Sequence, residues 1–420
     1  MTRPDPDPSP RHIGIAGAGV LGRLAAWALA RAGHAVTVFD PAACPGARHD
    51  GRGAAGQTAA GMLSPLAELD NAGPEVAELG WRSLDLWHAV AAQLAADPAA
   101  CAAAARARRT GLALGQPEPA TDLPDAPADA FGPIGLRRAG SLLLAHGSDL
   151  GAAERVLNRV RAGAGQRAGW PQPQALAREA LRTLEPAIDP SLRAWLLPDE
   201  GQLVPAMMLA ALAGASPGDV TWRWGTNVAA VEPGRLRMAD GDVHRCDLAL
   251  DLRGLGARPE SGAMHAERPW TADLRGVRGE LVWLHAPGLR LDRPLRLLHP
   301  RHRVYIVPRP GERVVIGASE IESEDRSPAS LRSAVELMAA AHSVLPALAE
   351  ARIVHLETNL RPALPDHAPR TDALDGLLRI NGLFRHGWLI APALLHDGLR
   401  ACGVACALDD LIVEKTDEHA

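Results

Sequence analysis

Three glycines near the start of the chain restrict its fold more than anything that follows. Gly17, Gly19 and Gly22 stand in the spacing G-x-G-x-x-G within Ile13-Gly14-Ile15-Ala16-Gly17-Ala18-Gly19-Val20-Leu21-Gly22. A short apolar run precedes them, and the helical stretch Arg23–Ala32 follows. A second apolar run, Ala35–Phe39, ends on Asp40. In such a turn the first glycine allows the tight passage from strand to helix. The second lets the backbone approach a pyrophosphate, and the third lets the helix pack closely on the sheet. The free N–H groups and positive dipole end of the helix then face the phosphates. Asp40, 18 residues after Gly22, is placed to accept from a ribose hydroxyl. Strand, glycines, helix, strand and acid in this order predict a β-α-β dinucleotide site. The pattern leaves open whether FAD or NAD is bound.

The rest of the composition narrows the class. A chain of 420 residues can build two domains, and 47% apolar content supplies ample core. A net charge of −5 without a basic stripe argues against a nucleic-acid surface. Lys415 is the one lysine among 44 basic residues, so a Schiff-base or peroxide-activating lysine in the folded body is excluded. Five scattered cysteines (Cys44, Cys101, Cys246, Cys402, Cys406) form no C-x-x-C pair and read as core filling rather than as metal or redox ligands. Cys402 and Cys406 are expected one turn apart in a terminal helix. No apolar run reaches the roughly 18 residues of a membrane span. Residues 1–10, with Pro4, Pro6, Pro8 and Pro10, are expected to be a disordered leader rather than a signal, and the location to be cytoplasmic.

Periodicity organises the remainder. Glu75–Ala95 has helical spacing, residues 115–134 form a Pro/Ala/Asp-rich surface loop, and Ser141–Ala145 reads as a strand. Leu150–Ala162 and Pro173–Leu184 are expected as helices, and Pro198–Pro205 as a turn before the helix Ala206–Ala213. Short strands follow at Val220–Trp224, Val228–Val231, Arg235–Met238 and Leu248–Leu252, then a β-rich stretch over 276–319. Leu331–Leu345 is an amphipathic helix, and the chain closes with two strands and a helix near Ala393–Leu411. The expected class is α/β, with two discontinuous domains. A Rossmann-like nucleotide domain takes residues 11–90, 186–258 and 352–416. A β-rich, mixed-sheet substrate domain takes 91–185 and 259–351.

Four segments then resemble one family. Thr58–Pro65 with Glu68 resembles the small-residue loop by which flavoproteins of the D-amino-acid-oxidase type approach the flavin ring. Asp199–Pro205 resembles that family's turn before a helix. Leu360-Arg361-Pro362 with Pro365-Asp366 resembles the segment carrying its carboxylate-binding arginine. Gly382–Pro392, containing Phe384-Arg385-His386-Gly387-Trp388-Leu389, is similar to the C-terminal flavin loop of the glycine oxidases of thiamine biosynthesis. The resemblance implies a Rossmann-like FAD-binding domain. Gly17, Gly19, Val20, Leu21, Gly22, Asp40, Ala60, Gly61, Met62, Val228, His386, Gly387, Trp388 and Leu389 would lie against FAD. With no cysteine in the attachment segment, FAD would be non-covalent. Arg361, Tyr305, Arg385 and Met62 would face the substrate. The residue chemistry agrees: small side chains at 59–61 leave a flat ring accessible, and a guanidinium fork grips a carboxylate bidentately.

The implied reaction is oxidative deamination of a small amino acid, glycine above all, to the imine and glyoxylate, with ammonia and peroxide released. The imine would supply thiazole synthesis. Two alternatives stand beside it: a D-amino-acid or secondary-amine dehydrogenase with an acceptor other than oxygen, and a non-catalytic flavoprotein subunit. The partners expected are a small amino acid or amine and oxygen or another acceptor, with a homo-oligomer left open. Four departures from the family pattern stand out: His386 for asparagine, Trp388 for isoleucine, Glu320 for an apolar neighbour of the substrate, and the charged Asp251–Gly256 segment with Arg253.

Overall fold

The structure, a computed structural model, describes residues 7–114, 131–215, 220–259, 269–299 and 303–411. Strand β1 (His12–Ala16) is buried from Ile13 onward, as a central parallel strand must be. It pairs in parallel with β2 (Ala35–Asp40) on one side and with Leu248–Asp251 on the other. The full six-stranded order is Arg370–Leu374, Leu377–Asn381, Leu248–Asp251, β1, β2, Val220–Trp224. Between β1 and β2 runs helix α1 (Val20–Arg31), buried on every side from Val20 to Ala30. It packs on β2, on the helix Pro205–Gly214 and on α2 (Gly387–Ala401), so no face is left for water.

An eight-stranded mixed sheet forms the second layer system. One half of it is the antiparallel set β3 (Arg275–His285), β4 (Arg303–Arg309), β5 (Arg313–Gly317) and β6 (Arg352–Ala363). The order is β6, β3, β5, β4, Leu295–Leu298, Ser141–Ala145, Arg193–Leu197, Gln174–Leu176. β3 and β6 pair along nearly their whole lengths, from Arg275 opposite Ala363 to His285 opposite Arg352. Leu331–Val344, capped by Ser330 through Ser333 N–H, covers one face of this sheet with Leu337, Ala341 and Val344.

Sheet membership divides the chain differently from the expected boundaries. Arg193–Leu197 and β6 fall in ranges expected with the nucleotide domain, yet both belong to the eight-stranded sheet. The helix Pro98–Leu112, expected with the substrate domain, packs instead on Pro205–Gly214, where a side chain at Gly214 would collide with Ala103. Pro173–Leu184 is not one helix. Gln174–Leu176 extends to pair with Arg193–Leu197, and the helix is Arg178–Leu184. Within the expected turn Pro198–Pro205, Gly201–Leu203 forms a strand between Met62–Leu63 and Leu136–Arg138.

The terminal helix ends at Ala401, closed by Gly403 at φ +65°, so Cys402 caps it and Cys406 lies beyond it in the core. Asp7 N–H donates to the Gly403 carbonyl at 3.1 Å, so the leader is anchored from that residue. Residues 1–6 and 115–130 of the two expected loop segments lie outside the described residues. Among the described residues no helix is long and apolar enough to cross a membrane.

One buried carboxyl pins three of these pieces together. Glu200 is 0% exposed; it accepts from Ala67 N–H at 3.0 Å and from the Ser141 hydroxyl. Burial pushes its pKa up to about 7, against opposition from Arg296, Ser141, Ala67 and Ser64. The neutral form is therefore the one the fold favours. Its contribution is complete below the ordinary carboxyl range and is lost as pH rises through about 7. Glu200→Gln keeps an acceptor for Ala67 N–H, and its amide N–H can donate to the Ser141 oxygen once that hydroxyl turns. It should leave stability near wild type at about pH 5 and raise it by on the order of 3 kcal/mol at about pH 8. Thermal melts at the two pH values check this, and a difference that does not grow with pH overturns it.

Candidate active site

A cavity of about 1290 Å³ opens between the six-stranded and eight-stranded sheets. That exceeds the roughly 300–1,000 Å³ of ordinary small-molecule pockets and suits a dinucleotide with a small second ligand. Gly17, Ala18, Gly19, Val20 and Leu21 line one end. Gly17 stands at φ +99°, and its N–H donates to Phe39 O at 2.8 Å. A side chain at Gly22 would collide with the Gly17 carbonyl, so this glycine serves the helix–turn contact and does not line the cavity. Gly19 is different: a Cβ there would meet only Ala54, at 3.7 Å, and would otherwise occupy open cavity. With α1 starting at Val20 and no side chain capping it, free N–H groups face that space. This cradle fits the pyrophosphate of a dinucleotide. Asp40 lines the cavity, and its two oxygens already accept from Ala18 N–H at 2.6 Å and Ala42 N–H at 2.8 Å. A carboxylate retains further lone pairs for a ribose hydroxyl.

Ala59, Ala60, Gly61 and Met62 line the cavity further along. Gly61 is held at φ +64°, and its carbonyl accepts from Leu203 N–H at 2.8 Å. A side chain on Gly61 would strike the Leu203 carbonyl, so glycine here serves backbone packing rather than ring access. The loop is held from behind by Arg309, which donates to Ala60 O at 2.6 Å and to Pro308 O at 3.0 Å. Burial lowers the Arg309 pKa to about 10, with Tyr305 opposing, so the group stays charged at neutral pH. Sequence reasoning missed Arg309; the signal was an arginine directly after the apolar run Val304–Pro308.

His386, Gly387, Trp388 and Leu389 form the N-terminal turn of α2 and line the same cavity. Pro392, inside this helix, has no N–H for the Trp388 carbonyl. Trp87 Nε1–H takes its place at 2.7 Å, while Trp388 Nε1–H donates to Gly56 O at 2.9 Å. The tryptophan at 388 thus ties the glycine-rich segment to the helix. Val228 also lines the cavity, and its carbonyl accepts from Arg253 Nη1 at 2.7 Å. Arg253, unexplained by sequence, is paired bidentately to Asp251 with both bonds at 2.8 Å.

At the other end stand the residues expected to face a substrate. Tyr305 on β4, Arg361 on β6, Arg385, Met62 and Glu320 all line the cavity. Arg361 Nη1 donates to Ser319 O at 3.2 Å and to Arg278 O at 3.4 Å. Among the described residues no carboxylate forms an ion pair with it. A Cβ at Gly279 would sit 2.5 Å from Arg361 Nη2, and one at Gly317 would sit 2.6 Å from the Tyr305 hydroxyl. Two strand glycines thus clear the space these side chains fill, a signal available in sequence as glycine within β-rich runs. Burial raises the Tyr305 pKa, with Arg361 opposing, so the phenol keeps its proton.

Arg385 is committed elsewhere. It donates to Glu68 at 3.1 Å and lies 3.7 Å from Glu320, which sits at the exposed rim. Arg296 reaches the other Glu68 oxygen at 3.3 Å, and His386 Nδ1 lies 3.5 Å from the carboxylate. Burial opposes ionisation of Glu68, but His386, Arg296 and Arg385 outweigh it and hold the group at about 2. Burial also holds His386 below its ordinary value, with Glu68 opposing. Glu68 was quoted in sequence without a role; here it is the hub of the charged wall.

The Trp87 bond offers a local test. Trp87→Phe keeps most of the packing against Trp388 but leaves a buried carbonyl without a donor. It should cost about 1–3 kcal/mol. Denaturant unfolding checks this, and an unchanged midpoint would show that the carbonyl finds another donor.

The model of the family described as FAD dependent oxidoreductase (DAO) matches residues 12–110 and 120–394. A thiamine biosynthesis oxidoreductase, ThiO, of Rhizobium etli is 34% identical over 390 residues, which cover 93% of this chain and 95% of that protein. The crystal structure of glycine oxidase from Geobacillus kaustophilus is similar with a TM-score of 0.70 at 23% identity, covering 94% of both chains. That of iminodiacetate oxidase from Chelativorans is similar with a TM-score of 0.68 at 22% identity, covering 93% of this chain and 94% of the other. At these identities the two structures speak to the fold. With the family model spanning most of the chain and the glycine cradle in place, the chain belongs to the FAD dependent oxidoreductase (DAO) family.

Proposed function

We propose that the protein oxidises a small amino acid, glycine above all, to its imine. Water then releases glyoxylate and ammonia, and oxygen takes the electrons to give hydrogen peroxide. The imine feeds thiazole formation for thiamine, in the cytoplasm. One observation carries the reading: Arg361 is a cavity-lining guanidinium with no carboxylate partner among the described residues, set beside the Tyr305 hydroxyl. The resemblance to a thiamine biosynthesis oxidoreductase over nearly the whole chain supports it.

Each group has a task in this reading. Arg361 binds the substrate carboxylate with its planar fork, and the protonated Tyr305 hydroxyl donates a second bond. Anchoring one end fixes where the amine and Cα lie, which is the entropic part of catalysis. Bound FAD supplies the two-electron acceptor for the Cα hydrogen. The glycine turn Gly17–Leu21, with Gly22 closing it from behind, would hold the pyrophosphate, Asp40 the ribose, and Val228 would form the nucleotide wall. Ala60–Met62 and His386–Leu389 would flank the ring, without a covalent bond. The N-terminal turn of α2 presents its positive end to the cavity and favours added negative charge there. Arg385, neutralised by Glu68, is an outer wall and not the anchor.

Anaerobic addition of glycine should bleach the flavin of the purified yellow protein, and air should restore the colour with peroxide formed. Bleaching without peroxide under air would point to the dehydrogenase reading, and failure of every small amine to bleach would overturn an oxidase. Arg361→Ala should lower kcat/KM by roughly two to three and a half decades, the 3–5 kcal/mol scale of breaking a shielded ion pair. Arg361→Lys should recover part of this, and flavin content should not change. Gly279→Ala, which crowds Arg361, should raise KM at constant flavin content. Normal glycine turnover by Arg361→Ala would remove the anchor assignment.

A further inference from the structure

Outside the substrate end, three side chains from two distant stretches of sequence converge. His49 lies on the segment between β2 and the short helix Ala55–Thr58, while His355 and Glu357 lie on β6. One ligand atom from each falls within 4.8 Å of the other two. His49 Nδ1 is 3.1 Å from Glu357 Oε1. The second oxygen, Oε2, accepts from Trp283 Nε1–H at 3.0 Å, which sets the plane of the carboxylate. His49 stands edge-on to His355, with ring centroids 5.6 Å apart. His355 Nε2 is buried and has no hydrogen-bond partner. A buried polar nitrogen left in this way is costly unless something answers it.

We propose that His49, His355 and Glu357 bind one divalent first-row transition metal ion of the Zn²⁺ type. Two imidazoles and a carboxylate are the donor set that such ions take with a water at the fourth position. Mg²⁺ and Ca²⁺ prefer oxygen alone. The His49 side chain is 19% exposed and that of Glu357 1%, so ion and water reach the site from the His49 side. Trp283 supplies the outer hydrogen bond that orients a ligating carboxylate.

The ion has a structural task. Arg48 and the run from Arg52 to Gln57 line the cofactor cavity, and β6 carries Arg361 four residues beyond Glu357. Protein bonds already join these parts: Asn359 Nδ2 donates to Gly53 O at 3.1 Å, and Arg326 donates to Gly51 O. A metal bridging His49 to β6 closes the same seam at its outer end. It takes no part in electron transfer, since Zn²⁺ has no redox chemistry. The proposal stands independently of which amine is oxidised.

The test uses the FAD-loaded full chain, stripped with a chelator and titrated with Zn²⁺ alone. After gel filtration, elemental analysis should find one zinc per wild-type chain. His355→Gln and Glu357→Gln should bind it at least roughly tenfold more weakly. Glu357→Gln keeps an acceptor for Trp283 Nε1, and flavin content in the same samples reports folding. Co²⁺ in wild type should give tetrahedral absorption to the red of the flavin bands, absent in the variants. Zinc bound equally by wild type and both variants lies elsewhere and overturns the proposal, as does a wild type that retains none. Should a variant lose its flavin, the Co²⁺ spectrum of wild type alone decides, and its absence overturns the proposal.

Discussion

The walls of the cavity hold because buried guanidinium groups bond the carbonyl oxygens of loops that have no ladder of their own. Backbone carbonyls turned away from water need donors, and this chain supplies them from arginine. Arg23, buried within α1, reaches Ala18 O at 2.9 Å, Leu209 O at 3.0 Å and Pro45 O at 2.8 Å. It thereby joins the glycine turn, the helix Pro205–Gly214 and the segment after β2. Arg309 does the same for Ala60. Arg313 holds the carbonyls of Gly111, Leu112 and Leu114, stapling the end of the helix Pro98–Leu112 to β5 of the other sheet. Arg278 clasps Asp325 O at 2.7 Å and Pro328 O at 2.8 Å. Lysine offers a point charge, whereas a planar fork with five donors spans two or three carbonyls at once. The near-absence of lysine is therefore matched by the way the loops are built.

These clamps also set the field inside the cavity. Burial lowers Arg23 to about 10, with Asp40 and Cys44 opposing, and Arg309 likewise reaches about 10. Both remain cationic at neutral pH; Arg23 lines the cavity, and Arg309 lies behind backbone that does. A diphosphate or an electron-rich ring placed there meets positive walls. Against that background the two cavity-lining forks separate by their partners. Arg385 is compensated by Glu68 and Glu320, while Arg361 meets carbonyl oxygens and the Tyr305 hydroxyl and, among the described residues, no carboxylate. A ligand carboxylate entering the cavity gains more at Arg361, because no internal ion pair has to break first.

The local parts of this design were legible in the sequence. The β1–α1–β2 unit, its glycines and Asp40 depend on neighbours within 28 residues, so periodicity and spacing suffice (His12 to Asp40). The strands Ser141–Ala145, Val220–Trp224 and Arg235–Met238 carry their own β pattern. What failed depends on distant partners. Gln174–Leu176 extends because Arg193–Leu197 offers an edge, and Gly201–Leu203 because it lies between two short strands from far along the chain. β6 joins the eight-stranded sheet through β3, some 80 residues earlier, which no local pattern announces. At the site, the motifs brought Arg361, Tyr305 and Arg385 to one cavity but did not separate their charge states. That distinction needed Glu68, whose partners Arg296 and Arg385 lie 228 and 317 residues away.

Glu68 and Glu200 show how far environment decides chemistry here. Both are buried carboxyls, and Glu200 bonds the backbone of Ala67, next to Glu68. His386, Arg296 and Arg385 hold Glu68 at about 2, whereas burial lifts Glu200, with a hydroxyl and an amide as its hydrogen-bond partners, to about 7. Arg296 acts on both, directly on Glu68 at 3.3 Å and at longer range on Glu200. The neutral carboxyl behind and the anion in front therefore depend on one guanidinium. If Glu200 were ionised in place, Arg296 would face two anions and its hold on Glu68 would weaken. Arg385 would then carry more of the Glu68 charge and be less able to serve a ligand. Arg361, which forms no carboxylate ion pair among the described residues, keeps its fork open to a ligand in either state of Glu200.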